Sequence, residues 1–376
     1  MGEELNSVIQ TAELVIIKRD FDMLKKLVPQ LPNEVQTQLT PYIALFCHEV
    51  LEYLEKRGYG IELESTSSYS IKDIRQKTKF FDLSLKKLFQ CVENVDRLQN
   101  EYFIGLMKFP WFGRWNVHNN LGIYFDVQGN IVSNTQYAYY VFQDDKTISK
   151  SEEDIHGRNL IDQEIRNFGY DTGVIIGNIS DGLSTLKDFI SSDISANKIV
   201  LNSQDYNTNR CSCFKNKEYK TIRLFLLHVL SSLGLVIHVL KKMIIRDNGF
   251  LLRFEYITYH YVIRRLYDLT KHCNEHADNL EDGRLIDLLN SIDYQNVNGL
   301  RNTVTRNCLM HFGLTNLDGT SCINEESFDL AQPFCGLIES QFSMSYDEYK
   351  SKLETELLNI YRKIQEYLSI DFQPKA

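Results

Sequence analysis

The sequence predicts a mainly α-helical protein with a small α+β middle region and a C-terminal four-helix bundle. Apolar residues recur at helical spacing through both terminal parts of the chain. Prolines, which break helices, number only 6 in 376 residues. A glycine-containing turn between two short apolar segments interrupts the helical pattern in the middle. Hydrophobic content of 43% and charged content of 24% are ordinary for a globular protein with roughly two or three domains.

Residues 1–108 are predicted to form an N-terminal helical module. Helices are expected at residues 5–28, 33–57 and 71–106, where apolar residues follow a period of about 3.6. A proline or a glycine follows each of these segments and supplies the signal that ends a helix. This part of the chain contains no motif with recognisable chemistry.

Residues 109–219 are predicted to form a mixed α+β insert. In LGIYFDVQGNIV, Gly129-Asn130 separates two apolar segments, which is typical of a β-hairpin, and the Tyr- and Val-rich TQYAYYVFQ is expected to extend it. Helices are expected at residues 151–167 and 183–190, with a strand-like apolar run, GVIIGNI, between them. The polar stretch NSQDYNTNRCSCFKNKEYK is predicted as a surface loop at the boundary of the last domain.

Residues 220–376 are predicted to be helical again. Helices are expected at residues 221–246, 250–276, 285–292, 296–312 and 346–368. The first two, the fourth and the last would pack as a four-helix bundle. The most apolar stretch, FLLHVLSSLGLVIHVL, contains two His and two Ser and is shorter than the roughly 20 residues that a bilayer requires. A buried helix is therefore expected there, and no membrane association.

Composition also restricts the compartment and the class of partner. The N-terminus lacks a long apolar segment of the kind found in secretory signals, so the 8 cysteines are expected to be reduced thiols in the cytoplasm. Cys211-Ser-Cys213 has neither CxxC spacing nor a second pair, and we expect no metal or other cofactor. The net charge of −9 argues against a polycationic nucleic-acid binder. A nuclease of this composition would need a local basic cleft.

The strongest functional signal is the segment LRNTVTRNCLMHFGL near the end of the chain. Arg306-Asn307 is followed by His311, so a cation, an amide and an imidazole share about one and a half helical turns. Arginine keeps its proton and binds phosphate through a planar fork, whereas histidine exchanges a proton near neutral pH. This combination suits cleavage of a phosphodiester without a metal. The alternative is a buried structural histidine and a solvated or salt-bridged arginine.

The motif and the predicted bundle together resemble the HEPN superfamily. Its members carry R-x4–6-H on a late helix of a helical bundle, with Asn, Asp or His directly after the arginine, and Arg306-Asn307-x3-His311 has this form. The resemblance covers residues 220–376. Other pairs with the same spacing lack the polar second residue: Arg223 and His228, Arg253 and His260, and Arg265 and His272.

This resemblance implies a metal-independent endoribonuclease that acts as a homodimer, with two motifs facing across a cleft. His311 would assist attack by the RNA 2′-hydroxyl or protonate the leaving 5′-oxygen, and Arg306 would stabilise the charged phosphorane. Asn307 would orient the histidine or hold phosphate. Many relatives are toxins or anti-phage effectors, which implies an antitoxin or a trigger protein as a further partner. The alternative function is a non-catalytic scaffold or regulatory protein that binds RNA or protein.

Further positive groups near the motif are candidates for contact with RNA. Arg301-Asn302 lies about one turn before Arg306, and the helix at residues 250–276 is basic and rich in histidine. Its candidates are Arg264, Arg265 and His272. A solvated basic stripe is the alternative.

The helical wheel places Arg306 about 140° from His311, so one straight helix does not direct both side chains at one atom. Either the long arginine side chain reaches around the helix, or a second protomer completes the site.

Overall fold

The computed structural model describes residues 2–58, 83–105, 119–142, 157–186, 193–214, 217–247, 249–275, 282–315, 320–324, 326, 328–370 and 372. Within these residues the protein is mainly helical with a small amount of antiparallel β-structure, so the predicted class is confirmed. The helices are α1 Gly2–Leu27, α2 Asn33–Lys56, α3 Leu85–Gly105, α4 Tyr137–Phe142, α5 Gly157–Gly182, α6 Lys217–Gly234, α7 Phe250–Glu275, α8 Gly283–Asn290, α9 Tyr294–Gly299, α10 Thr303–His311, α11 Pro333–Phe342 and α12 Tyr346–Leu368. The strands are β1 Leu121–Phe125, β2 Ile131–Asn134, β3 Asp193–Ile194, β4 Asn202–Tyr206 and β5 Ile244–Arg246.

The first two helices match their predicted ranges closely. A 3₁₀ turn, Val28–Gln30, follows α1, and its proline cannot continue the helical hydrogen bonding. Gly58 follows α2 with a φ of 74°, a left-handed conformation that ends a helix at little steric cost in glycine. Helix α3 covers the later part of the predicted third helix, while residues 71–82 and 106 lie outside the described residues.

The middle region contains the predicted hairpin. Strands β1 and β2 pair antiparallel, and Gly129 in their turn has a φ of 83°. Asp126 stabilises this turn because its Oδ1 accepts hydrogen bonds from the backbone N–H groups of Gln128 and Asn130, both at 2.9 Å. On its other edge β1 pairs with β4, which lies inside the polar stretch predicted as a loop. That prediction is wrong because the backbone of β1 supplies hydrogen-bond partners, whatever the polarity of the β4 side chains.

Two other predictions in the middle region are wrong in element type. In the segment TQYAYYVFQ, Tyr137–Phe142 form α4 rather than a strand, and Tyr137 and Tyr140 are buried on one side of it. The apolar run GVIIGNI lies inside α5. Its isoleucines at 175, 176 and 179 are buried, which is a helical spacing rather than the alternation of a strand. The predicted helix 183–190 is not present in its described part, since residues 183–186 form a turn and a bend after α5. Residues 151–156 and 187–190 lie outside the described residues.

The apolar helix predicted at residues 221–246 begins earlier than expected, at Lys217, ends earlier, at Met243, and is less regular. Helix α6 continues through a π-helical stretch, Leu235–Leu240, and one further turn before β5, which pairs with β3. Gly234 is required where α6 crosses the hairpin, since a Cβ there would lie 2.0 Å from the carbonyl oxygen of Ile131. By length and composition Tyr219–Met243 is the one candidate membrane span in the described part of the chain, and 83% of its apolar window is buried inside the protein.

The last part of the chain positions the motif. Helices α7 and α12 match their predictions, but the predicted helix 296–312 is divided into α9 and α10. Helix α10, which carries the motif, packs against α2, α7 and α11, while α12 packs against α6, α7 and α8. Core residues from all three predicted ranges join one continuous apolar cluster. The N-terminal helices therefore form part of the surroundings of the motif.

Candidate functional site

The C-terminal end of α10 is fixed by a buried cation. Arg253 of α7 is fully buried, its Nη1 donates to the carbonyl oxygen of Leu309, and its Nε lies 2.8 Å from Oδ2 of Asp20 in α1. Its guanidinium also lies over the ring of Phe312, 4.0 Å from the centroid. Phe312 ends the helix with a φ of 59°, an uncommon conformation for a large side chain. These contacts hold the last turn, which carries His311, in one place.

The N-terminal end of α10 is fixed by a cap and a tyrosine. The side-chain oxygen of Asn302 accepts hydrogen bonds from the backbone N–H groups of Val304, at 2.7 Å, and Thr305, at 3.2 Å. The hydroxyl of Tyr256 donates to the Asn302 carbonyl at 2.7 Å and accepts from its N–H at 2.9 Å. The predicted RNA-contacting Asn302 therefore has a structural role, because its oxygen is occupied by the helix cap.

His311 forms a close pair with an acid from the N-terminal helices. Its Nδ1 lies 2.6 Å from Oε2 of Glu49 in α2, and the other carboxylate oxygen lies 3.0 Å from Nδ1 of His48. The His311 side chain is 50% exposed, whereas that of Glu49 is 14% exposed. The alternative of a buried structural histidine does not describe this arrangement. A shielded carboxylate holds one nitrogen of an imidazole that remains open to solvent.

Two imidazoles keep the acid of this pair ionised. Burial by itself would raise the pKa of Glu49, but hydrogen bonds from His311 and His48, and their charges, lower it to about 2. Glu49 is therefore a carboxylate across the physiological pH range. It can orient His311 through Nδ1.

The chain after the motif is also tied to α1. The backbone N–H of Leu314 donates to Oε1 of the fully buried Glu13 at 2.8 Å. The other oxygen of Glu13 accepts from the hydroxyl of Tyr53 at 2.6 Å and from Nη2 of Arg57 at 3.0 Å. A buried carboxylate with three donors is well satisfied. It fixes the course of the chain directly beyond His311.

Arg306 and Asn307 lie on other sides of the motif helix. Arg306 is half-buried, and its charge acts on Tyr256 and His260 of α7. Asn307 is exposed. Arg306 thus acts toward α7 while His311 is bonded to α2, in agreement with the 140° that separates them on a helical wheel.

The charges of three of the predicted arginines act on one histidine, His260. Nε of Arg301 lies 3.4 Å from Nδ1 of His260, and Nη1 of Arg301 donates to Oδ1 of Asn298 at 2.9 Å. Burial lowers the pKa of His260, and the charges of Arg301, Arg306 and Arg264 lower it further, to about 3. We call Arg264, Arg301, Arg306 and His260 the arginine cluster.

Two other predicted RNA contacts lie elsewhere. Arg265 is fully buried and donates to Oδ2 of Asp268 at 2.9 Å, so its guanidinium lies in the core and not on the surface where RNA contact is predicted. It lies on the core side of α7, next in sequence to the exposed Arg264. His272 is half-buried and meets the ring of Phe89 in α3 edge-on, with centroids 5.7 Å apart. The basic stripe on α7 is therefore divided between core and surface.

Sequence reasoning missed the acids that position the motif. Glu49 lies 262 residues before His311, and Glu13 lies 301 residues before Leu314. The buried side chain of Asp20 belongs to the same group. No local pattern marks such pairs, although a glutamate next to a histidine within the apolar stretch YIALFCHEVL, His48-Glu49, is a weak signal.

Comparisons of the chain with protein-family models, curated proteins and solved structures give no match. Among the residues that the structure describes, no group of three or more His, Cys, Asp or Glu side chains is arranged to hold a metal ion. Function is therefore inferred from the chemistry of the side chains around α10. These provide an accessible imidazole with an orienting carboxylate and, on another side of the same helix, a concentration of positive charge.

Proposed function

We propose that the protein is a metal-independent endoribonuclease of the HEPN type that works as a homodimer in the cytoplasm. In this proposal α6, α7, α10 and α12 form the HEPN-like four-helix bundle, and His311, Arg306 and Asn307 are the catalytic residues. A role as a toxin or an anti-phage effector, controlled by an antitoxin or a trigger protein, belongs to the same proposal.

The observation that carries the proposal is the pair formed by Glu49 and His311. General acid–base catalysis needs a group that exchanges protons near neutral pH, is reachable by substrate and is held in one orientation. The 2.6 Å contact with the shielded carboxylate orients the imidazole, and its 50% exposed side chain can be reached from solvent. An acid that orients a histidine through Nδ1 leaves Nε2 for the substrate.

The proposed reaction needs only a base, an acid and a fixed positive charge. His311 accepts the proton of the RNA 2′-hydroxyl, whose oxygen attacks the adjacent phosphorus. The bond from phosphorus to the 5′-oxygen breaks, and that oxygen takes a proton from an imidazolium. Arg306 stabilises the negative charge that develops on the phosphorane. The products are a 2′,3′-cyclic phosphate and a 5′-hydroxyl.

A second protomer is included because the two central residues of one chain act toward different neighbouring helices. His311 is bonded to α2, whereas the charge of Arg306 acts on side chains of α7. In a dimer with α10 near the twofold axis, His311 of one protomer faces Arg306 of its partner. Each scissile phosphate would then meet the His311 imidazole of one protomer and the Arg306 guanidinium of the other.

The test is cleavage of a mixture of single-stranded RNAs by purified protein in EDTA, with the 2′,3′-cyclic phosphate ends as readout. We expect His311→Asn to reduce cleavage roughly a hundredfold to ten-thousandfold. Arg306→Ala should reduce it strongly, and Glu49→Gln should lie between wild type and His311→Asn. Arg166→Ala, an exposed arginine on α5, is the matched control and should cleave normally. Equal activity of His311→Asn and wild type would reject the proposal.

The second candidate is a non-catalytic scaffold or regulatory protein that binds RNA or another protein. In a monomer, Arg306 and His311 lie on different sides of α10 and do not meet at one phosphate, which favours this second candidate. Light scattering across a concentration series and binding of labelled RNA separate the two candidates. A monomer that binds RNA and leaves it intact supports the scaffold. A dimer in which mixing His311→Asn with Arg306→Ala restores cleavage supports the enzyme, since one wild-type pair is then rebuilt.

A further inference from the structure

The arginine cluster has a defined frame. Tyr256, His260 and Arg264 are spaced four residues apart on α7 and so share one face of that helix. The rings of Tyr256 and His260 are nearly parallel, with an angle of 23° and a centroid separation of 6.3 Å. The Tyr256 hydroxyl fastens this face to Asn302, directly beside Arg301. The cluster is therefore built on two elements whose relative position is fixed by two hydrogen bonds.

The charge at this place is unusual in an acidic protein. Arginine does not lose its proton in proteins, so three neighbouring guanidiniums repel one another. Arg301 lies within the range of the other two charges. Burial lowers its pKa, and the charges of Arg264 and Arg306 lower it as well, although two nearby tyrosines act in the opposite direction. The net charge of the whole chain is −9, so this positive charge is a local property.

His260 adds a neutral donor to this positive surrounding. An arginine Nε–H can only donate, so Nδ1 of His260 accepts the hydrogen bond from Arg301 and the ring proton lies on Nε2. The pKa of His260, lowered to about 3 by burial and by the three arginines, keeps the imidazole neutral near pH 7. A neutral imidazole with a proton on Nε2 can donate one hydrogen bond to an oxyanion.

We propose that Arg264, Arg301 and Arg306 bind a phosphate group and that the Nε2–H of His260 donates a hydrogen bond to it. Planar guanidinium forks match phosphate oxygens, and a phosphate would remove the repulsion among the three cations. The N-terminal end of α10, directly after Arg301 and Asn302, adds the favourable end of its helix dipole. This inference deepens the proposed function because Arg306 belongs to both. It assigns Arg264, Arg301 and His260 to a phosphate subsite on the α7 side of α10.

Inorganic phosphate is the first probe, with the thermal unfolding midpoint and ¹³C-resolved histidine ring resonances as readouts. In wild type we expect saturable stabilisation and a shift of the His260 resonance. Arg264→Ala and Arg301→Ala should each weaken phosphate binding about tenfold to a hundredfold, as for one hydrogen bond to a charged group. Arg301→Lys keeps the charge without the fork and should lose less than Arg301→Ala. Arg166→Ala should bind phosphate as wild type does.

Arg264 is exposed, so Arg264→Ala and the charge reversal Arg264→Glu change the charge of the cluster without opening a cavity in the core. If neither phosphate nor these two substitutions changes the unfolding midpoint or the His260 resonance beyond the Arg166→Ala control, the phosphate site is rejected. Persistence of full phosphate binding in Arg264→Glu would reject it equally.

The phosphate could belong to the RNA backbone or to a small ligand. The His311→Asn protein distinguishes these two sources, since it leaves RNA intact under the proposed function. One arm uses a single-stranded RNA with hydroxyls at both ends, and the other a nucleoside 5′-monophosphate. Weaker binding of both ligands in Arg301→Ala indicates a site for any phosphate, and weaker binding of RNA alone indicates a site for the backbone. Binding that is unchanged in both arms rejects the assignment. Phosphate binding without RNA cleavage would overturn only the proposed function, and cleavage without phosphate binding only this inference.

Discussion

Two acid–base pairs join the N-terminal helices to the surroundings of the motif, and they differ mainly in burial. Asp20 and Arg253 are 3% and 0% exposed, whereas Glu49 and His311 are 14% and 50% exposed. Burial raises the pKa of Asp20 to about 6 even beside a guanidinium. We call Asp20–Arg253 the sealed pair and Glu49–His311 the open pair. In the open pair, two imidazoles lower the pKa of Glu49 to about 2. The sealed pair is suited to holding the helix, whereas the open pair leaves an imidazole within reach of solvent.

The largest effect is expected from breaking the sealed pair. Arg253→Leu leaves Asp20 buried without its partner and removes the donor to the Leu309 carbonyl. We expect the free energy of unfolding to fall by about 3–5 kcal/mol, measured by urea denaturation.

Replacing both partners, Asp20→Leu with Arg253→Leu, should recover much of this loss because no charge then remains buried. Arg166→Leu on the surface of α5 serves as the control and should change stability by less than about 0.5 kcal/mol. A double variant no more stable than Arg253→Leu would show that Asp20 and Arg253 stabilise the fold by more than cancelling each other's buried charge.

The two pairs should have opposite pH dependence. The pKa of Glu49 is lowered in the folded protein, so its contribution to stability is present above its ordinary value of 4.5 and is lost as the pH falls toward 2. The pKa of Asp20 is raised, so its contribution is present below 3.8 and is lost as the pH rises through about 6. Each change should amount to about 1–3 kcal/mol.

The measurement is the free energy of unfolding of wild type minus that of Glu49→Gln, and minus that of Asp20→Asn, at several values of pH from 2.5 to 7. The first difference should rise with pH and the second should fall. Glu366→Gln, an exposed glutamate on α12, should give a nearly flat difference. Slopes of the same sign for the two acids would contradict the contrast between the sealed and the open pair.

A smaller effect is expected at the other end of the motif helix. Asn302→Ala removes the cap of α10 and should lower the free energy of unfolding by about 0.5–2 kcal/mol. Asn302→Asp retains an acceptor and should lose little. Asn290→Ala, an exposed asparagine at the end of α8, is the control. If Asn302→Ala costs as much as Arg253→Leu, the two ends of α10 are held equally firmly.

Regular helices with strong periodicity are the part of the fold that the sequence predicts well. Helices α7 and α12 begin at the predicted residues, and each ends within one residue of its prediction, because apolar spacing, a preceding turn signal and a following polar stretch agree. Two segments of the middle region, TQYAYYVFQ and GVIIGNI, are predicted as the wrong type of element. In α4 and α5 tertiary packing overrides the strand preference of Tyr, Val and Ile. The division between α9 and α10 depends on hydrogen bonds from Tyr256 and Tyr349 to residues 300–302, which no local pattern reveals.

The candidate site is predictable in its identities but not in its partners. The spacing of Arg306 and His311 marks the motif, and the helical wheel predicts their divergence. The acid that orients His311 comes from α2, and the face of α7 that reaches Arg301 depends on tertiary packing. Neighbouring positions on α7 also have opposite fates. Arg264 is exposed and Arg265 fully buried, a difference that one residue of helical rotation decides.

The hydrogen bond from the Leu314 amide to Glu13 has a practical consequence for the design of shorter pieces of this protein. A fragment starting near residue 220 would contain the whole motif and yet leave Arg253, His311 and the Leu314 amide without the acids that satisfy them. Removing α1 and α2 would also uncover the apolar side chains of α7 and α10 that pack on them, which favours aggregation. Co-expression of residues 2–58 as a separate polypeptide would therefore be the appropriate rescue for such a fragment.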